Sequence, residues 1–187
     1  MRKFLFLTIL LVQYSFSQSQ YEKNAQCIRT KNLSEKERLT HFPFSKAAQI
    51  KIISFKDKSD GTLGHDLMNY MNSIVIGKDT LASNLYDEIT NLTPQQINQL
   101  TDIIFNYSHK KEPYAIAQAG CYMPRNAIFF LDDNNTIIAW LELCFGCDNY
   151  RTSDKKLTIG EYCDQKYDML KSIFKEAKIQ YGITITE

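Results

Sequence analysis

Histidine is nearly missing from this chain: His41, His65 and His109 stand far apart, with no ligand-like companion at useful spacing. A histidine-based metal centre therefore has no material to draw on. A surplus of one charge is missing too. Lys and Arg number 22 against 21 Asp and Glu, a formal net charge of +1, which removes any bulk electrostatic case for nucleic acid or acidic lipid. The amino-terminal apolar run, Phe4 to Val12, falls well short of the roughly 20 residues that span a bilayer, so no transmembrane anchor is expected. There is no G-x-S-x-G elbow, HExxH pair, phosphate loop or glycine-rich dinucleotide fingerprint. Internal repeats, low-complexity tracts and interdomain linkers are likewise missing.

What is present begins with a leader. Arg2 and Lys3 precede the apolar run, and Ser15-Phe16-Ser17 or Ser17-Gln18-Ser19 supplies a small-x-small cleavage pattern. Residues 1–19 read as a signal peptide. Cys27 lies too far downstream to serve as a lipoprotein cysteine. Removing 19 residues leaves 168 of the 187, and loss of Arg2 and Lys3 takes the net charge to −1. The expected product, residues 20–187, is one soluble, exported domain, periplasmic or extracellular.

Local patterning divides that domain. "LSEKER" allows a short helical turn capped by Ser34, with Glu37 three residues on. Ile50 to Phe55 is β-branched on both faces, as an internal strand requires. Residues 57–91 stay poorly defined beyond the turn-rich "DKSDGTLGHD". Thr93, Pro94 and Gln96 then form a helix start, followed by Ile97, Leu100, Ile103, Ile104 and Tyr107 on one face. "NAIFFLD" and "TIIAWLELC", joined by "DDNN", predict an antiparallel hairpin over Ala127 to Cys144. A last helix, Glu161 to Lys178, carries Cys163, Tyr167, Leu170, Phe174 and Ala177 on one stripe. The fold class expected is α+β, a mainly antiparallel sheet with helices packed on one face.

The chemistry is concentrated in cysteine. A hairpin register with Leu131 facing Thr136 puts Cys144 opposite Met123, two residues from Cys121. Cys147 follows at once, and Cys163 points from its helix towards the same end. Cys121, Cys144, Cys147 and Cys163 are expected to converge. Exported thiols within reach oxidise, so two intramolecular disulfides without a metal or other cofactor come first. The preferred connectivity is Cys121–Cys144 with Cys147–Cys163. Cys121–Cys147 with Cys144–Cys163 follows, then Cys144–Cys147 with Cys121–Cys163, and Cys27 is left over. One alternative is a zinc ion held by the same four thiolates, Cys144-Phe-Gly-Cys147 having knuckle-like spacing. The other is a thioredoxin-like centre at Cys144 and Cys147, whose helical context "DNYRTSDKK" fails to supply.

Three further residues are candidates for surface binding: Arg125 just before a strand, and Tyr150 and Arg151 in the loop after the hairpin. Each also has a plain reading, Arg125 as the ion-pair partner of Glu142 or Asp148 and the other two as ordinary surface. Glu142 alternates away from Leu141 and Leu143 and is expected to face solvent. Trp140 shares its face. No catalytic residue is assigned.

"FPFSKAAQIKIISF", "CYMPRNAIFFLDDNNTIIAWLELCFGC" and "GEYCDQKYDMLKSIFKEAKIQYGI" resemble parts of an uncharacterised group of small exported Bacteroidota proteins. Their shared pattern is Cys-x2-Pro-Arg, then Cys-Phe-x-Cys, then Cys. The likeness covers about half of the mature chain, chiefly Cys121 to Ile183, and implies that the four cysteines form a set. It transfers no catalytic role. The function expected is an exported, non-enzymatic interaction or envelope-associated domain, compatible with a protein partner of unknown identity and not with nucleic acid. The enzyme alternative is a thiol–disulfide oxidoreductase using Cys144 and Cys147.

Overall fold

Two apolar surfaces on one sheet need two covers, and this chain supplies both. The structure, a computed structural model, describes residues 20–58, 61–112 and 120–184. The expected signal peptide, residues 1–19, lies outside them. Strand β2 (Gln49–Ser54) pairs antiparallel with β3 (Glu88–Asn91) on one side and β5 (Asn126–Leu131) on the other. β5 pairs with β6 (Ile137–Cys144), and β6 with β7 (Asn149–Thr152), giving the order β3-β2-β5-β6-β7. All six residues of β5 are buried, as a central strand with two covered faces demands.

On the first face Ile50, Ile52, Ile128, Phe130, Leu141 and Leu143 meet helices α3 (Pro94–Asn106) and α4 (Lys166–Glu176). The capping box at the start of α3 forms as read. The Gln96 N–H donates to Thr93 Oγ1 at 3.3 Å, the Thr93 N–H to Gln96 Oε1 at 2.9 Å, and Pro94 opens the helix. The Ser34–Glu37 box forms likewise on the short helix α1 (Glu35–Arg38). Helix α4 starts at Lys166 rather than Glu161, which leaves Cys163 in the preceding loop.

The α+β class with a mainly antiparallel sheet is as expected, and the sheet's opposite face is covered as well. Ile53, Ala127, Phe129, Leu131, Ile137 and Trp140 are covered by Leu67 and Met71 of α2 (His65–Ser73), with Leu81 and Tyr86. The poorly legible segment is therefore the second layer. Its helix is started from outside: the Asp57 carboxylate accepts the N–H groups of Gly64 at 2.6 Å and Asp66 at 3.0 Å. Gly64 has φ +80°, and a Cβ there would lie 2.6 Å from Pro124. A strap of residues 120–125 thus passes against the start of α2. A separate two-stranded sheet joins β1 (Cys27–Arg29) to β4 (Tyr107–His109), with Cys27 opposite His109. Among the described residues no helix is long and apolar enough to cross a membrane.

Candidate functional site

Three of the four expected cysteines, Cys121, Cys144 and Cys147, meet where β6 ends, while Cys163 pairs elsewhere, and the hairpin register differs from the expected one. Asp132 Oδ1 accepts the N–H groups of Asn134 at 2.9 Å and Thr136 at 2.8 Å, and Asn135 takes φ 62°. That widens the turn, and an irregularity between Phe130 and Leu131 adds a further shift. Leu131 therefore faces Ile137 instead of Thr136, and Asn126 faces Leu143. The slip totals two residues at the far end, so the faces are kept while the ends are offset. Cys144 still reaches Met123, whose backbone N–H donates to its sulfur at 3.3 Å.

The pairing corrects the preferred connectivity. Cys121 bonds Cys147 with Cα atoms 5.8 Å apart, Cys27 bonds Cys163 at 4.9 Å, and Cys144 is a free, buried thiol. Cys27 was missed because β1 is only three residues long and polar around it. Its docking is done by distant groups. The Cys27 N–H donates to Gln165 Oε1 at 2.8 Å, Asp164 N–H to the Ala25 carbonyl at 2.9 Å, and His109 Nδ1 lies 3.1 Å from the Tyr162 carbonyl oxygen. These contacts bring the first strand to the loop that carries Cys163. The four-thiolate zinc set is not assembled: three of its sulfurs are in disulfides, one of them with Cys27. No group of three or more His, Cys, Asp or Glu among the described residues is placed to hold a metal.

Beside the sulfurs lies a buried charge. Glu142 is fully buried rather than solvent-facing, because the strap and the second layer cover its side of the sheet. Its Oε2 accepts the Tyr122 hydroxyl at 2.6 Å and Arg151 Nε at 2.6 Å. Arg151 also donates to Asn72 Oδ1 of α2 at 3.3 Å and stands over the Tyr122 ring. Burial and the hydrogen bond to Glu142 push the Tyr122 phenol well above its ordinary range. Burial opposes the Arg151 charge, but Glu142 and Tyr122 together outweigh it and hold that guanidinium more firmly protonated. Glu142 Oε1 and Arg151 Nη2 have no hydrogen-bond partner among the described residues.

No protein-family model, curated protein or solved structure matches this chain. Its chemistry is read from its own geometry.

The three surface candidates do not converge. Tyr150 and Arg151 form part of β7 and alternate across the sheet. Arg125 has its guanidinium carbon 6.0 Å from the Tyr181 ring centroid and pairs with neither Glu142 nor Asp148; Arg151 takes Glu142 instead. Tyr150 turns to the other face, where it lines a cleft of about 370 Å³ with Thr30, Lys31, Tyr107, Ser108 and Glu161.

Behind that cleft sits a residue the sequence reading passed over. Lys166 is fully buried, and its Nζ donates to the carbonyls of Ile103 at 2.9 Å and Tyr107 at 2.6 Å, closing the carboxyl end of α3. Burial pushes its pKa down to about 8, against a smaller opposing pull from Glu161. The available signal was positional: Lys166 falls between Cys163 and Leu170 on the apolar stripe. Gly160 makes room for this arrangement. It has φ +81°, and a Cβ would come within 2.0 Å of the Ile104 carbonyl oxygen and 3.5 Å of Lys166 Nζ.

Proposed function

We propose that this protein is an exported, non-enzymatic interaction or envelope-associated domain, kin to the small Bacteroidota proteins it resembles, whose cysteines serve the fold rather than external redox turnover. The observation that carries this reading is burial of the sulfurs. Cys144, Cys147 and Cys163 are 2%, 1% and 0% exposed. An oxidoreductase must offer an attacking thiolate to its substrate. The placement of the pair argues the same way. Cys144 and Cys147 close a hairpin turn between β6 and β7, not a strand-to-helix junction where a helix amino terminus activates a thiol.

Two disulfides support export, since the cytosol keeps most thiols reduced. The cleft beside Tyr150 is the favoured contact site, because it combines aromatic surface with the Thr30 and Ser108 hydroxyls and charges of both signs from Lys31 and Glu161. The test is a disulfide-exchange assay on oxidised full-length protein with a reducible protein substrate. No catalytic turnover is expected, in the wild type or in Cys144→Ser. Rapid turnover that disappears in Cys144→Ser or Cys147→Ser would refute the proposal in favour of the oxidoreductase.

A further inference from the structure

Inertness towards an outside substrate does not make the three sulfurs inert towards each other. Cys144 and Cys147 terminate a hydrogen-bonded turn, the Cys147 N–H donating to the Cys144 carbonyl at 3.2 Å. Such a turn brings its end Cα atoms within about 7 Å, a range that overlaps the one a disulfide spans. Cys147 is bonded to Cys121, and the turn sets the free Cys144 at a backbone separation that a disulfide can span. The Met123 N–H on the Cys144 sulfur at 3.3 Å holds that sulfur against the strap, two residues from Cys121.

We propose that Cys121, Cys144 and Cys147 form an exchange centre in which the bridge migrates from Cys121–Cys147 to Cys144–Cys147 and releases Cys121 as a reactive thiol. The step balances without any outside reagent. The Cys144 thiol gives its proton to solvent, its sulfur attacks the Cys147 sulfur, the Cys121–Cys147 bond breaks, and the Cys121 thiolate leaves and takes up a proton. One disulfide and one thiol are present before and after. The direction of attack follows from solvation. The charge starts on Cys144, 2% exposed; displacing Cys121 moves it outward to a half-buried residue of the strap, whereas displacing Cys147, 1% exposed, would leave it in the interior.

Migration has a structural consequence. The strap loses its covalent anchor and keeps two polar holds, the Tyr122 hydroxyl on Glu142 and the Phe55 N–H on the Arg125 carbonyl. Glu142 Oε1 and Arg151 Nη2, unpartnered under the strap, then come within reach of water. The strap is a latch whose bolt is a disulfide, and its release makes Cys121 an attachment point for a small disulfide such as oxidised glutathione. Attachment is a further exchange: the Cys121 thiolate bonds one glutathione sulfur and the other leaves as thiolate.

The test uses oxidised full-length protein held natively near pH 8 in N-ethylmaleimide. The protein is then quenched in acid and mapped by non-reducing digestion and mass spectrometry. The expected product carries the label on Cys121 and a Cys144–Cys147 bond. In Cys144→Ser, labelling of Cys121 should slow by roughly tenfold or more, because the attacking sulfur is gone. Label on Cys144 with Cys121–Cys147 intact, label on Cys147, or no label at all would each overturn the proposal. So would Cys121 labelling that is equally fast in Cys144→Ser. The wild-type map alone decides the matter should the variant fold poorly. Release of one thiol per molecule is stoichiometric, so this result is independent of the turnover assay above.

Discussion

Replacing each disulfide in turn by a pair of alanines should reveal their unequal worth. Cys27–Cys163 closes a loop of 136 residues and Cys121–Cys147 one of 26. In the loop-entropy account these correspond to about 5 and about 3.5 kcal/mol at 25 °C. The difference is the sturdier quantity, since the constant for closing any loop cancels and only the ratio of lengths remains. It comes to about 1.5 kcal/mol. Nesting of the short loop inside the long one trims this by a few tenths of a kcal/mol, because the inner bridge already shortens the outer path. Local packing does not separate the two: each bridge joins one buried cysteine, Cys163 or Cys147, to one half-buried one, Cys27 or Cys121.

The assay is equilibrium unfolding in urea for wild type, Cys27→Ala with Cys163→Ala, and Cys121→Ala with Cys147→Ala. Slopes should rise in both variants as the unfolded chains expand. The midpoint should fall further for the first. A larger loss from removing the short bridge would refute the reasoning. An unchanged midpoint without Cys27 would show that the first strand is not held by Cys163 at all.

Three other outcomes follow from buried groups. Glu142→Leu should cost roughly 3 kcal/mol, since it strands Arg151 and the Tyr122 hydroxyl, and adding Arg151→Leu should restore at least half of the loss in chemical denaturation. Gly160→Ala should cost roughly 2 kcal/mol or more in the same measurement, because φ +81° is strained for alanine and its Cβ would meet the Ile104 carbonyl oxygen. Lys166 binds its proton less tightly when folded, about 8 against an ordinary 10.5. Between those values the unfolded chain holds more protons, so stability should rise with pH, by up to roughly 3 kcal/mol across the whole window. The slope is best read from about pH 8 to 9.5, below ordinary tyrosine ionisation, and should vanish in Lys166→Met.

Legibility followed the range of the interactions. Thr93, Pro94 and Gln96 announced α3 because a capping box is made within four residues, and the structure forms it. The two strands of the hairpin were equally plain from β-branched and aromatic runs. The register was not, since the extra width came from one carboxylate oxygen of Asp132 taking two N–H groups. Glu142 was misplaced for a different reason. Alternation correctly put it opposite Leu141 and Leu143, but nothing local says that α2 and the strap cover that side. Residues 57–91 hid the second layer because its anchors, Leu67, Met71, Leu81 and Tyr86, are spread thinly and meet partners far along the chain. Cys27 was lost in the same way, its partner lying 136 residues on.

The placement of the two bridges has a common physical logic. The five-stranded sheet needs little covalent help, since β5 is buried throughout and its faces are covered by two apolar layers. Two segments outside that sheet bury little of themselves: β1 has no buried residue, and of residues 120–125 only Pro124 is buried. Neither can offset the entropy of being held in place from its own apolar surface. Each receives one disulfide. Five cysteines leave one over, and a surplus thiol at the surface of an exported protein would join molecules together. Cys144 instead lies 2% exposed at the end of β6, held by the Met123 N–H. That burial shields it from other molecules while leaving it three residues from the Cys147 end of the bridge that fastens the strap, so the free thiol is withheld from solvent and is also the one the proposed exchange would use to undo the latch.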